Sequence, residues 1–419
     1  MAEMSPALRQ YLLITGNYWA FTLTDGALRM LVVLYFYQLG YGALAIAMLF
    51  LFYEFFGVVT NLLGGWLGAR LGLNRTMNIG LGLQIVALAM LLVPQAWLTI
   101  PWVMAAQALS GIAKDLNKMS AKSAIKTLVP KDAAQAGQTL YRYVALLTGS
   151  KNALKGIGFF LGGALLSLLG FAGAIATMAA VLTLVWLSSL LFLKAELGLA
   201  KNKPKFSELF SKSRAVNILS AARLFLFAAR DVWFVVALPV YLASQFGWDH
   251  WQVGGFLAGW IIAYGLVQAL APRLTARTAR TARTDGKTVG KHKGSALPGR
   301  AAALFWCGLL ALVPALIALG LGSQYSHVWL IGGLLLFGAL FAVNSSLHSF
   351  LIVSYAREDG VSLDVGFYYM ANAAGRLLGT VLSGALFQWW GLEACLWVSS
   401  AMLLLTLIIS RGLPQEHEA

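Results

Sequence analysis

Charge is what this sequence has least of. Only 11% of its 419 residues are Asp, Glu, Lys or Arg, where a soluble chain carries roughly 25%. So few charges cannot cover a water-exposed surface, but they suffice for one that faces lipid. Cysteine is nearly absent. Cys307 and Cys395 both lie inside apolar runs, which argues against a disulfide framework and leaves them as small buried hydrophobes. The sequence has no phosphate-binding loop ending in Gly-Lys-Ser/Thr, no nucleotide-fold signature and no His/Cys metal spacing. Those absences exclude an ATP-driven pump on this chain alone and give no enzyme signature; neither a cofactor nor a metal is expected. Acids are scarcer than bases, 16 against 31, for a formal net charge of +15. That surplus does not indicate nucleic acid, because no folded basic domain remains outside the apolar stretches to hold it.

Apolar sequence is what the chain has in abundance: 59% of residues are hydrophobic and the mean hydropathy is +0.74. A spanning helix needs about 20 apolar residues. Such stretches fall near 11–38, 43–69, 76–94, 101–128, 138–169, 172–194, 215–243, 250–273, 300–322, 327–356, 364–390 and 392–411. The expected fold is therefore an all-α membrane protein with twelve transmembrane helices. No cleavable leader is expected, since the short polar start at Met1–Gln10 runs straight into the first long apolar stretch.

The connections orient the chain. Gln38–Ala45, Pro94–Ile100, Gly170–Ala172 and Ser244–Trp251 hold no Lys or Arg. The opposite side holds Arg70, Arg75, Lys126 and Lys131, the run from Lys194 through Lys201, Lys203, Lys205 and Lys212 to Arg214, and the block from Arg273 to Arg300. By the positive-inside rule both termini and the basic loops are cytoplasmic. The part of that block with Arg277, Arg280, Arg283, Lys287, Lys291 and Lys293 is expected as a disordered loop attracted to anionic membrane lipid.

The Leu197–Ser213 connection splits the spans six and six, and the halves repeat. Gly149-x2-Asn152-x2-Lys155-x2-Gly158-x4-Gly163-Ala164-Leu165-x4-Gly170 in the fifth span aligns with Met370-x2-Ala373-x2-Arg376-x2-Gly379-x4-Gly384-Ala385-Leu386-x4-Gly391 in the eleventh. Gly111-x5-Asn117 aligns with Gly338-x5-Asn344, Ala69-Arg70-Leu71 with Pro272-Arg273-Leu274, and Gln38-Leu39-Gly40-Tyr41 with Gln245-Phe246-Gly247-Trp248. Two pseudo-symmetric six-helix bundles, residues 1–196 and 214–419, are expected around a cytoplasmic linker at 197–213. This organisation resembles the major facilitator superfamily. Gly65-Trp66-Leu67-Gly68-Ala69-Arg70-Leu71-Gly72-Leu73-Asn74-Arg75 is similar to that family's loop motif between spans two and three. It departs at Ala69, where the family usually has an Asp that helps lock the outward-facing state. The resemblance implies that this lock is made differently here.

Ten cations lie within the spans: Arg29, Lys114, Lys118, Lys122, Arg142, Lys151, Lys155, Arg223, Arg230 and Arg376. Only four acids join them, Asp25, Glu54, Asp115 and Asp231. Each charge at the bilayer centre costs about 2.5–3.5 kcal/mol on insertion scales, and four acids cannot neutralise ten cations. The cations are therefore expected to line a wet cavity and to favour an anionic solute. Lys114, Lys118 and Lys122 recur every four residues and share one helix stripe; Lys151 and Lys155 share another. Lys155 and Arg376 occupy equivalent positions in the two halves, near mid-depth, with no acid within a turn, and are expected to meet the anion directly. Arg29, Lys114, Lys118, Lys122, Lys151 and Arg230 complete the candidate set. Lys122, Arg142 and Arg223 stand near cytoplasmic helix ends, where snorkelling to headgroups is the competing expectation. Asp25 and Arg29, four apart, can form a local ion pair; Asp115 and Asp231 each follow a cation directly and are expected to need other partners. These acids and Glu54 are the candidates for proton coupling or charge pairing. Asn17, Asn117, Asn152, Asn344, Ser345, His348, Tyr368 and Asn372 can hydrogen-bond a hydroxylated solute or stitch helices together.

A narrower resemblance runs along the whole chain. Ser5-Pro6-Ala7-Leu8-Arg9-Gln10-Tyr11, Gly16-Asn17-Tyr18-Trp19-Ala20-Phe21-Thr22-Leu23-Thr24-Asp25-Gly26-Ala27-Leu28-Arg29, Phe52-Tyr53-Glu54-Phe55-Phe56-Gly57 and Lys114-Asp115-Leu116-Asn117-Lys118-Met119-Ser120-Ala121-Lys122 are similar to the ArsJ family of bacterial organoarsenical efflux permeases. That resemblance implies export of 1-arseno-3-phosphoglycerate across the bacterial inner membrane. It also implies a functional link to the glyceraldehyde-3-phosphate dehydrogenase that makes the compound from arsenate. An organophosphate/inorganic phosphate exchanger and a non-transporting receptor for an anionic metabolite need similar cations and stand as alternatives.

Overall fold

The computed structural model describes residues 6–41, 49–128, 136–193, 198, 200, 205–210, 212–235, 237–248, 250–284 and 298–414. Ser5, Lys131, Lys194, Lys201, Lys203, Lys287, Lys291 and Lys293 lie outside the described residues. Eleven α-helices occur among those described: α1 Pro6–Gln38, α2 Leu51–Leu71, α3 Leu73–Met90, α4 Ile100–Leu128, α5 Ala136–Phe192, α6 Arg214–Phe234, α7 Ala237–Gln245, α8 His250–Thr284, α9 Arg300–Leu321, α10 Ser326–Tyr355 and α11 Val361–Ser410. α5 and α11 are double length. Each turns between two crossings at one glycine, Gly170 at φ 69° and Gly391 at φ 76°, a left-handed backbone that a side chain would strain. The non-helical glycine divides each of these long elements into two helices, which supply the fifth and sixth crossings in one case and the eleventh and twelfth in the other.

Among the described residues, six helices are long and apolar enough to cross a membrane by length and composition alone. α4 falls short because its lysines and Asp115 depress its hydropathy. The lipid-facing character of the rest is plain in exposed side chains such as Phe160 and Leu168, 79% and 81% accessible. Water would penalise such a surface, whereas lipid does not.

The seventh apolar stretch, expected as one helix over 215–243, is two, α6 and α7. Pro239 explains the break: it has no N–H with which to continue the helical hydrogen bonds back to Val235. Ser213 caps α6, its hydroxyl accepting the Val216 N–H at 3.2 Å. The basic stretch with Arg277, Arg280 and Arg283 is not a loop. It continues α8 to Thr284, because the Thr-Ala-Arg repeats contain no glycine or proline before Gly286.

The chain forms two compact units. The first comprises Met1–Pro130, Ser150–Ser211 and Ala356–Met370; the second comprises Lys131–Gly149, Lys212–Tyr355 and Ala371–Ala419. In the first, α4 packs against α1, α2 and α3; in the second, α10 packs against α6, α8 and α9. The repeat read in the sequence has the same structural consequence in both. Asn117 and Asn344 each donate back to the carbonyl four residues earlier, Ala113 and Leu340. Gly40 and Gly247 both take positive φ, 86° and 66°, just past their helices. In the first unit a Cβ on Gly158 would stand 2.8 Å from the Leu23 carbonyl; in the second, one on Gly379 would stand 2.8 Å from that of Ala228. A stripe of glycine thus lets the fifth crossing lie backbone to backbone on the first, and the eleventh on the seventh.

The end of α2, where Ala69 replaces the acid of the related motif, is held without charge. Ala69 is fully buried and its carbonyl accepts the Ala200 N–H at 3.0 Å. Ala69, Ala200, Leu209 and Leu363 form one small apolar cluster. Ser362 donates to the Gly65 carbonyl at 2.7 Å, and a Cβ on Gly366 would meet the Gly65 backbone at 2.8 Å. Close glycine packing therefore occupies the position where an ion pair was in question.

Candidate functional site

Among the described residues, each unit carries a cluster of charged side chains gathered on a buried aspartate. In the first, α4 presents Lys114, Asp115 and Lys118 towards α1 and α2. Asp115 is 2% exposed and bridges its two lysines, 2.5 Å from Lys118 Nζ and 3.9 Å from Lys114 Nζ. A Cβ on Gly57 would stand 2.9 Å from Asp115 Oδ2, so glycine on α2 makes room for this carboxylate. Tyr53 organises the other side. Its hydroxyl donates to both oxygens of Asp25, at 2.7 and 2.9 Å. Its ring lies 3.8 Å from Lys114 Nζ and 5.5 Å from the Arg29 guanidinium. Arg29 pairs with Glu54 at 3.5 Å, both about one-third exposed. The expected Asp25–Arg29 pair is thus replaced by two others, because Tyr53 supplies Asp25 with a donor and Glu54 lies within reach of the arginine.

Tyr369 plays the matching part for the lower lysines. Lys118 and Lys122 stand 4.8 and 4.7 Å from its ring centroid, and Lys122 also donates to its hydroxyl. Lys122 is 3% exposed, so it does not snorkel. An ammonium over an aromatic face is stabilised by about 0.5–2 kcal/mol, more as it is desolvated. The rings therefore supply part of what the missing acids do not. Lys151, Asn152 and Lys155 are partly buried on α5 in the same unit, with Lys155 Nζ 5.9 Å from the Phe159 ring.

The cluster of the second unit centres on Asp231, 2% exposed. Arg230 Nη2 lies 2.5 Å from its Oδ1 and Arg376 Nε 3.5 Å from its Oδ2. Asp115 and Asp231 were each expected to need a partner other than the cation before them, and each has one, Lys118 and Arg376. The preceding cations, Lys114 and Arg230, reach them too, because long side chains curl back across the 100° between neighbours. Arg376 has no acid within a turn, but tertiary packing brings Asp231 to it from α6. Arg230 also lies 4.8 Å over Phe227 and 5.4 Å over Phe341. Arg223 is 2% exposed, which excludes snorkelling. Its Nε donates to Asn372 Oδ1 at 2.8 Å, its Nη1 to the Ser345 carbonyl at 3.2 Å, and its guanidinium lies 3.9 Å over Phe227. His348 is fully buried nearby. Arg142, by contrast, is exposed.

The amides divide by role. Asn17 ties α1 to α5 through Ser189 at 2.9 Å. Asn344 donates to the Trp306 carbonyl on α9 at 2.9 Å, and Asn117 is fully buried. Asn17 and Asn344 act as helix stitches in this arrangement, Asn117 bonds within its own helix to Ala113, and Asn372 belongs to the Arg223 group. Tyr368 is buried beside Tyr369, ring centroids 4.9 Å apart. Sequence reasoning missed Tyr53, Tyr369, Phe227, Phe341 and Gly57. The signal available for Tyr53 was its place beside Glu54, an acid in an otherwise aromatic run. Among the described residues no group of three His, Cys, Asp or Glu side chains is placed to hold a metal.

Each central carboxylate spans two cations at distances that a phosphate or carboxylate oxygen would take, and cations outnumber acids in both units. The sequence profile of the Major Facilitator Superfamily matches residues 14–284. No curated protein matches the sequence. Among solved structures, the E. coli fucose:proton symporter superposes with a TM-score of 0.73 at 11% identity, over 98% of this chain and 100% of the other. The human organic anion transporter MFSD10 superposes with a TM-score of 0.72 at 17% identity, over 97% and 100%. A bacterial homologue of the iron transporter ferroportin, in an outward-facing state, does so with a TM-score of 0.72 at 14% identity, over 96% and 99%. At these identities the likeness concerns the fold alone.

Proposed function

Since the chain belongs to the major facilitator superfamily, and is accordingly a secondary transporter in the membrane, we propose that its solute is a small organic polyanion carrying arsenate or phosphate, most specifically 1-arseno-3-phosphoglycerate, exported from the cytoplasm by alternating access. The observation that carries this reading is the excess of cations over acids in both clusters: Lys114 and Lys118 share one acid, Asp115, and Arg230 and Arg376 share Asp231. A neutral sugar would not repay the cost of holding these cations in the membrane, whereas an oxyanion would. The narrower resemblance of the α1, α2 and α4 motifs supports the arsenate ester, and supports placing the protein in a bacterial inner membrane with cytoplasmic termini.

In this mechanism Asp115 and Asp231 act as stand-ins. They hold the cations in place while the site is empty and yield them when a solute oxyanion arrives. Arg376 offers a planar fork suited to two oxygens; the lysines act as point charges. Asp25, Glu54, Asp115 and Asp231 are the acids that would take up protons if transport is coupled. Coupling is not required energetically. Each negative charge leaving an inside-negative cell gains about 2.3 kcal/mol per 100 mV, provided the returning carrier moves less charge.

Uptake of freshly prepared 1-arseno-3-phosphoglycerate into everted vesicles tests the reading, with inorganic phosphate as comparison. Saturable uptake by the wild type is expected, falling at least about tenfold in Arg376→Ala, Lys155→Ala and Lys118→Ala, the scale of one lost charged contact. Equal uptake of inorganic phosphate would move the assignment to the phosphate-exchanger class. Binding without flux would make the protein a receptor.

A further inference from the structure

A largely apolar feature lies on the surface of the first unit, lined by none of the residues of the charged cluster. A groove of about 450 Å³ runs between α1 and the last turns of α5. Its walls are Leu12 and Leu13 on one side and Leu184 and Val185 on the other, its floor is Gly16, and Arg9 stands at its mouth. Two clasps fix its shape. Gln10 Nε2 donates to the Phe192 carbonyl at 3.2 Å, and Asn17 Nδ2 donates to Ser189 Oγ at 2.9 Å. A Cβ on Gly16 would meet no atom within 4 Å, so the space above it is open. From Arg9 to Gly16 the helix rises about 10 Å, enough for the upper half of one acyl chain.

Arg9 decides the occupant. It is exposed, it faces the Phe192 ring at 5.9 Å, and no carboxylate pairs with it among the described residues. It lies at the start of the first crossing, on the side that carries the basic connections, where headgroups meet protein. We propose that this groove is a binding site for one phospholipid, with its acyl chain along Leu12, Leu13, Leu184 and Val185 and its anionic headgroup phosphate on Arg9. The groove supplies affinity for any diacyl lipid, and Arg9 supplies the preference for an anionic one. The site joins α1 to the sixth crossing, so an occupied groove braces the first unit at a point the transport cluster does not touch.

Native mass spectrometry of the full-length protein in mild detergent, titrated with equal phosphatidylglycerol and phosphatidylethanolamine, tests this. The wild type is expected to retain one tightly held phosphatidylglycerol. Arg9→Gln should lower the ratio of the two lipids at that tightest site about fivefold, the weight of one basic residue near the surface, and Arg9→Lys should preserve most of it. Gly16→Leu should remove the tightest lipid of either kind, because its side chain grows into the groove from a position where an added Cβ meets no atom within 4 Å. An unchanged ratio in Arg9→Gln, or undiminished retention in Gly16→Leu with helical circular dichroism intact, would overturn the proposal. None of these readouts depends on which solute is transported.

Discussion

Tyr53 presents a ring face to Lys114 and Arg29 and a hydroxyl to Asp25. The two contributions separate by substitution. Tyr53→Phe keeps the ring and strips Asp25 of its donor. It should destabilise the protein by about 1.5–3 kcal/mol, the range for hydrogen bonds to charged groups. Tyr53→Leu should cost about 0.5–2 kcal/mol more, through loss of the cation–ring contact. Thermal unfolding in detergent measures both steps; equal losses in the two variants would mean that the ring does not hold Lys114. At this scale the sequence identified the charges well, since ionisable residues inside apolar stretches stand out by their insertion cost. It did not identify the partners. Tyr53 and Tyr369 are unremarkable among membrane aromatics until folding lays a lysine on each face.

At the scale of the helix, glycine decides how closely crossings approach. Gly158 faces the Leu23 carbonyl with room for hydrogen only, whereas an added Cβ at Gly384 meets nothing within 4 Å. The same Gly→Ala change should therefore act in opposite directions. Gly158→Ala should lower stability by about 1–3 kcal/mol through overpacking. Gly384→Ala should raise it by about 0.5–1 kcal/mol through reduced freedom of the unfolded chain and better helix propensity. Denaturation of the two variants in one detergent gives the comparison, and losses of equal size would refute the close-approach argument. The glycine repeat was legible in the sequence as a constant offset between the fifth and eleventh crossings. The break between α6 and α7 was overlooked there because the apolar run continues through it, although Pro239 marks it.

At the scale of the whole molecule, the distribution of Lys and Arg sets a testable orientation. Cys307 and Cys395 are both buried and should stay silent to an impermeant maleimide. Gln95→Cys, on an exposed turn free of nearby cations, should label in intact cells. Asp359→Cys, between α10 and α11 on the basic side, should label only in everted vesicles. The reverse pattern would invert the topology and, with it, the direction of export.

By itself the sequence determined the helical class and the excess of cations over acids inside the apolar stretches. These rest on local composition and hydropathy, which need no knowledge of what packs against what. Only the tertiary structure decided how each charge is held: that Asp25 turns to Tyr53 and Arg29 to Glu54, that Asp231 reaches Arg376, and that Lys122 and Arg223 are buried. Those pairings join residues from different helices, and their distances follow from how far glycine lets the backbones approach, which no single stretch of sequence contains.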